Sequence, residues 1–236
     1  MGLAAARQWF RSIAPVSALR IGLIGSYDLA ETSGARLDQS GEGYHLAQFN
    51  AVGSAAGVGA GQTAAVFDAA ASQYLLALAA SAPQPNGAPF EIALWVRPDV
   101  TAANLRTIAS WAVGSSDQIV VQANQFALQA FMRNAANTAT SSATLTGLAG
   151  GTWYLVTAGY DGDNVFITRN AAAPATTPIV GLRDVEMDFR LGGRGDTTNY
   201  ALGRYQACRV YGRVLTADQR TQLYAAGAAA LLHGDL

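Results

Sequence analysis

Residues 209–227, RVYGRVLTADQRTQLYAAG, place a strand-like run directly before a sharply marked short helix. Just upstream, Gln206, Cys208 and Val210 fall on one face and Ala207, Arg209 and Tyr211 on the other, which is the two-residue period of a strand. Thr216 and Gln219 have the spacing of a capping box, in which each side chain satisfies a backbone N–H of the opening turn. Gly227 suits a left-handed exit, so the pattern predicts a helix of about two to three turns over residues 217–226.

Working outward, the rest of the chain alternates short strand patterns with Gly-, Asn- and Asp-containing turns. Residues 90–97 put Phe90, Ile92, Leu94 and Val96 on one face and Glu91, Ala93, Trp95 and Arg97 on the other, bracketed by Pro89 and Pro98. Residues 153–160 and 165–169 flank the turn-forming 161–164 and read as a hairpin. Further strands are predicted at 23–28, 64–68, 119–122, 127–133 and 189–192. Three stretches, 37–61, 78–88 and 134–150, read as long connections rich in Ala, Ser, Thr, Gly and Asn. The fold class is all-β, with loops at the rim of a rigid sandwich as the place for binding residues.

At 236 residues the chain fits one large β domain, assigned to residues 21–236, behind an arm of residues 1–20. Arg7, Gln8 and Arg11 interrupt the apolar run an export signal needs, and Ala6 stands where a myristoylation site wants Ser or Thr. Trp9, Phe10 and Ile13 line one side of a short helix ending before Pro15, which predicts a docking segment.

All 15 basic residues are arginine, so chemistry that needs a lysine, such as a Schiff base or a P-loop phosphate contact, is excluded. A net charge of −1 with 13% charged residues leaves no electrostatic footprint for nucleic acid or an anionic membrane. The lone Cys208 excludes an internal disulfide and reads as a buried, inert thiol. A charge-poor surface without lysines at strand edges predicts self-association or attachment to a larger assembly.

Taken in order, these pieces resemble the laminin-G-like, concanavalin A-like lectin/glucanase jelly-roll family in its bacterial and phage version. GLIGSYDLAETSGARLDQSGEGYHL resembles that family's opening strand and Asp-x-Ser-Gly-x-Gly-x-His loop, and AAVFDAAASQYL its Phe-Asp-Gly-x-x-Ser-Tyr-Leu strand. PFEIALWVRPD and GTWYLVTAGYDGDNVFITRN resemble the two central strands with their Tyr-Asp-Gly hairpin. The closing strand and short helix match residues 203–216 and beyond. The resemblance implies a concanavalin A-like jelly-roll β-sandwich, with Leu223 and Tyr224 of the helix covering apolar surface, and it implies that His45 packs or hydrogen-bonds within the opening loop. Where the family often has Asp and Glu, this chain has Gln206 and Ala207, so a function resting on those carboxylates is not carried over.

Glu186-Met-Asp-Phe-Arg190 is similar to the active-site strand of glycosidases in this superfamily, but Arg190 or Leu191 stands where the second carboxylate belongs. A salt-bridged strand face accounts for Glu186, Asp188 and Arg190. Asp161, Asp163 and Asn164 offer oxygen ligands for calcium without the spacing of an EF-hand, and a tight turn explains the same residues. Calcium is the one cofactor left open. Arg194-Gly-Asp196 reads as an ordinary loop tripeptide, and neither His45 nor His233 has a triad or metal pattern around it. Of Trp95, Trp111 and Trp153, at least two read as core, although a tryptophan facing a groove could stack on sugar rings.

The expected function is a non-catalytic recognition or assembly module, foremost a structural protein of a bacteriophage virion surface, as decoration or fibre-associated component. Its partners would be copies of itself or a viral shell. The alternative is a lectin-like glycan-binding module of a bacterial surface, with Tyr44, Trp111 and Asp196 as ligand contacts. A glycoside hydrolase is the third.

Overall fold

The computed structural model describes residues 18–99 and 105–227. Nearly all of the expected arm, with Trp9, Phe10 and Ile13, lies outside the described residues, as does His233. In chain order the strands are β1 (Leu23–Tyr27), β2 (Ala47–Phe49), β3 (Gly53–Ala56), β4 (Thr63–Phe67), β5 (Tyr74–Ala77), β6 (Phe90–Pro98), β7 (Arg106–Val113) and β8 (Ser116–Asn124). They continue as β9 (Ala127–Arg133), β10 (Thr140–Thr146), β11 (Tyr154–Tyr160), β12 (Asn164–Arg169), β13 (Ala175–Pro178), β14 (Asp188–Leu191) and β15 (Gly203–Tyr211), followed by the helix α1 (Ala217–Ala225).

The strands form two antiparallel sheets. One runs β13-β12-β11-β6-β15-β4-β3, with β1 also paired to β15, and the other runs β10-β9-β8-β7-β14-β5-β2. Their facing sides bury a continuous core in which Ile92, Leu94 and Val96 of β6 share one cluster with Trp111, Ile119, Val121, Phe189 and Val210. Trp111 sits at its centre, with its ring 4.5 Å from that of Phe189 and 5.5 Å from that of Phe90. Along one side, hydroxyls close the sandwich: Ser141 Oγ donates to the Pro178 carbonyl at 2.7 Å and Thr177 Oγ1 to the Ser142 carbonyl at 2.7 Å.

The outer face of the first sheet carries a second, smaller core of Ala93, Trp95, Leu155, Ala207 and Tyr211. Helix α1 lies over it. Both halves of the capping box form, Leu223 is fully buried in this core, and the Tyr224 ring stacks on Trp95 at 5.8 Å. A bidentate pair fastens the helix: Arg220 Nε and Nη2 each donate to the Glu91 carboxylate at 2.8 Å.

Several elements depart from the sequence pattern. The stretch 37–61 contains β2 and β3, and 134–150 contains β10, where long connections were expected. All three are edge or near-edge strands whose residues alternate between exposed and half-buried, or carry Ser and Thr on the wet face, so they lack the apolar alternation that marks a strand. In β15, Ala207 has φ +53° and the register to β6 shifts between Gln206 and Arg209, which is a bulge. The extra residue reverses the phase, so Gln206 shares the outer face with Ala207 instead of the inner face with Cys208. There its side chain accepts from the Val58 N–H at 2.8 Å and donates to Gln62 Oε1 at 3.0 Å. Cys208 is buried as expected, and burial pushes its thiol up to about 12. Among the described residues no helix is long and apolar enough to cross a membrane.

Candidate functional site

The opening loop is organised around one carboxylate. Asp38 Oδ1 accepts the backbone N–H groups of Ser26 at 2.9 Å and Ser40 at 3.0 Å, and Oδ2 accepts Ser40 Oγ at 2.7 Å and the Tyr44 N–H at 3.0 Å. The Asp38 N–H in turn donates to His45 Nδ1 at 3.0 Å, which gives His45 the loop-packing part expected of it. Gly41 and Gly43 supply the positive φ values, +102° and +78°, that let six residues double back onto one side chain. From beneath, the Tyr27 hydroxyl donates to the Tyr44 carbonyl at 2.7 Å, and burial raises the Tyr27 phenol well above its ordinary range, which keeps it a donor.

Burial pushes the Asp38 carboxyl upward, but the hydrogen bonds from Ser40, Ser26 and Tyr44 outweigh it and hold the group below its ordinary value. Because the folded-state pKa lies below the unfolded value of about 3.9, the stability from this carboxylate is complete above that value and is lost as the pH falls through the folded pKa. Asp38→Asn is expected to cost about 1–3 kcal/mol at neutral pH. In urea titrations the gap to the parent should narrow as the pH drops below about 3.9. A gap of the same size in acid would remove the carboxylate charge from the account.

Opposite this loop stands the stretch between β5 and β6. Trp111 Nε1 donates to the Pro83 carbonyl at 2.8 Å. Gln84 uses both amide hydrogens, on the Ala79 carbonyl at 2.9 Å and the Met187 carbonyl at 2.7 Å, while its Oε1 accepts the Met187 N–H at 3.1 Å. Asn86 and Gly87 both adopt positive φ, turning the chain back toward β6. Between the two loops lies a cavity of about 230 Å³ lined by Ile24, Glu42, Tyr44, Gln84 and Asn86. One aromatic ring, one carboxylate, two amides and an aliphatic patch give it hydrogen-bonding groups beside a surface for stacking.

Of the ligand contacts expected from sequence, Tyr44 lines this cavity. Trp111 does not reach it: the side chain is fully buried between the sheets, so its face is closed to any ligand, and it holds the Pro83 wall from behind. Asp196 lies in a different loop, where its carboxylate accepts the Thr198 N–H at 3.0 Å and hydroxyl at 2.5 Å. Its neighbour Arg194 pairs with Asp117 at 2.6 Å, so the Arg-Gly-Asp tripeptide is part of a folded loop. Trp95 is buried in the outer core, and Trp153 packs against it. Glu42, Gln84 and Asn86 carry no sequence pattern that points to a ligand, although Asn86-Gly87 is a turn signal and residues 78–88 read as a long connection.

The other candidates have structural employment. Asp161 Oδ1 accepts the N–H groups of Asp163 at 2.9 Å and Asn164 at 2.7 Å, closing the β11–β12 turn. Asp188 accepts the Ala79 N–H at 3.0 Å and lies 3.6 Å from Arg190, while Glu186 is exposed.

The family model of the concanavalin A-like lectin/glucanases superfamily matches residues 68–219. The chain belongs to that superfamily. The match takes in the wall of Gln84 and Asn86 and leaves Ile24, Glu42 and Tyr44 outside it. Among solved structures, this superfamily member is similar to the binding domain of botulinum neurotoxin DC in complex with rat synaptotagmin II, at TM-score 0.68 and 12% identity over 89% of this chain and 52% of that one. It is also similar to a structure of botulinum neurotoxin type C, whose cell entry depends on interaction with two ganglioside molecules, at TM-score 0.67 and 12% identity over 92% and 53%. A third is the botulinum neurotoxin serotype G binding domain, at TM-score 0.66 and 17% identity over 86% and 50%. The chain thus spans about half the length of these structures, and at such identities the likeness is one of fold. No curated protein matches the sequence.

Proposed function

We propose that this chain is a non-catalytic recognition module that binds a carbohydrate in the cavity between the Tyr44 loop and the Gln84–Asn86 wall. The observation that carries this is the cavity's lining, a tyrosine with a glutamate, a glutamine and an asparagine gathered between two hydrogen-bonded loops. That mixture suits a pyranose, whose hydroxyl edge seeks polar partners and whose C–H face seeks an aromatic one. The superfamily's name includes lectins, and binding domains share the fold, which supports the reading. A glycosidase is disfavoured by Arg190, which is always cationic and occupies the place of a second acid, and by the engagement of Asp188 with Ala79 and Arg190.

Tyr44→Ala is expected to weaken glycan binding at least tenfold, about 1.4 kcal/mol, with the melting temperature nearly unchanged because the Asp38 bonds reach the backbone of residue 44. A glycan array followed by titration calorimetry on parent and variant provides the measurement. An array empty at high protein concentration, with and without calcium, would remove the reading.

The setting we propose for the module is a bacteriophage virion surface, reached through the arm of residues 1–20. The lysine-free, charge-poor composition supports it, since such a surface favours association. Electron microscopy of native particles is the test, and a monomer found free of any particle would end it.

A further inference from the structure

We infer that the Tyr44 cavity takes one non-acidic sugar ring, binds an amine-bearing ring best, and rejects rings that carry a carboxylate or sulfate. The inference rests on the carbohydrate reading above and deepens it to a ligand class.

Size limits the occupant first. At about 230 Å³ the cavity lies below the roughly 300–1,000 Å³ of sites that enclose drug-sized ligands, so it encloses about one sugar ring.

Hydrogen-bonding capacity decides the rest. Both hydrogens of the Gln84 amide are donated to the Ala79 and Met187 carbonyls and its Oε1 accepts the Met187 N–H, so this side chain has no donor left for a ligand and one acceptor lone pair. An ionised Glu42 is acceptor-only. Among the described lining side chains, the Tyr44 hydroxyl and the Asn86 amide are the remaining donors. A lining so rich in acceptors is satisfied by a ligand that donates, through hydroxyls or, more strongly, through an ammonium group.

Charge points the same way. Among the described residues, Glu42 is the one charged side chain on the lining and no arginine lines it. Behind the loop stands the Asp38 carboxylate, and beyond the facing wall Asp184 packs against the Asn86-Gly87 turn, where a Cβ on Gly87 would come within 2.9 Å of the Asp184 Cβ. Arginines elsewhere in the fold have partners of their own: Arg36 on the carbonyls of Gly34 and Val52, Arg183 on Gln118, Arg209 on Asp28, and Arg213 on the carbonyls of Ile21 and Ala18. An acidic sugar would therefore meet acceptors and like charge with no cation to receive it.

Matched ring series isolate this property. Binding of glucose, glucosamine and glucuronic acid, and of the three galacto counterparts, would be measured by ligand-observed NMR at millimolar sugar with the full chain at pH 7. In whichever series binds, the amine is expected to bind at least fivefold tighter than the neutral ring and the uronic acid at least tenfold weaker. Glu42→Gln should erase most of the amine preference and recover part of the uronic acid binding, while Tyr44→Ala should weaken the neutral ring itself. Uronic acid binding as tight as the neutral ring, or an order unmoved by Glu42→Gln, overturns the ligand class but leaves carbohydrate binding standing. Binding of none of the six, together with an empty glycan array, overturns the carbohydrate reading and this inference with it.

Discussion

Glu91→Ala is expected to lower stability by about 3–5 kcal/mol, the usual consequence of leaving one partner of a buried ion pair alone. Glu91 is 0% exposed and lies on β6 among apolar neighbours. Its oxygens accept both Arg220 donors at 2.8 Å, and Oε2 also accepts the Leu215 N–H at 2.9 Å just before the helix. The Arg220 guanidinium also stands over the Phe166 ring at 5.0 Å, a cation–π contact. Truncating Glu91 leaves a guanidinium and a backbone N–H desolvated together. For a domain of this size the melting temperature should fall by about 6–20 °C. Hydrogen exchange should show α1 opening first, exposing Trp95, Leu215 and Leu223. The double replacement Glu91→Leu with Arg220→Leu is expected to recover most of the loss, because it removes both charges instead of isolating one. A single variant within about 1 kcal/mol of the parent would show that the pair does not fasten the helix.

Trp111→Ala is expected to cost about 3–5 kcal/mol by opening a cavity between the sheets where the indole meets Phe90 and Phe189. The more informative variant is Trp111→Phe. It keeps much of the packing but leaves the Pro83 carbonyl without its donor, for roughly 1–3 kcal/mol. Since Pro83 precedes Gln84 and Asn86, loss of that bond loosens one wall of the cavity, and glycan affinity should fall although Trp111 touches no ligand. Tyr44→Ala should do the reverse, losing affinity at constant stability. A Trp111→Phe protein with full affinity would show that the wall is held by Gln84 alone.

The strands that were legible from residue order are those buried on both faces or cleanly alternating, such as Phe90–Pro98 and Tyr154–Tyr160, because burial imposes a composition that local reading detects. β2, β3 and β10 were illegible for the converse reason: at a sheet edge a strand is held by its neighbour's backbone, and Ser, Thr and Ala serve there as well as Val or Ile. The bulge at Ala207 is a further case, since a single residue in the left-handed region reversed the face of Gln206 without any Gly or Asn to announce it.

Sequence alone determined the all-β class, the superfamily, the capped helix and the buried thiol. Each of these depends on residues close together in the chain, where spacing and side-chain chemistry suffice. The tertiary structure decided what Trp111 does, which residues face Tyr44 across the cavity, and that Glu91 meets Arg220. Those partners are tens to more than a hundred residues apart, and sheet order and register bring them together, which no local pattern encodes.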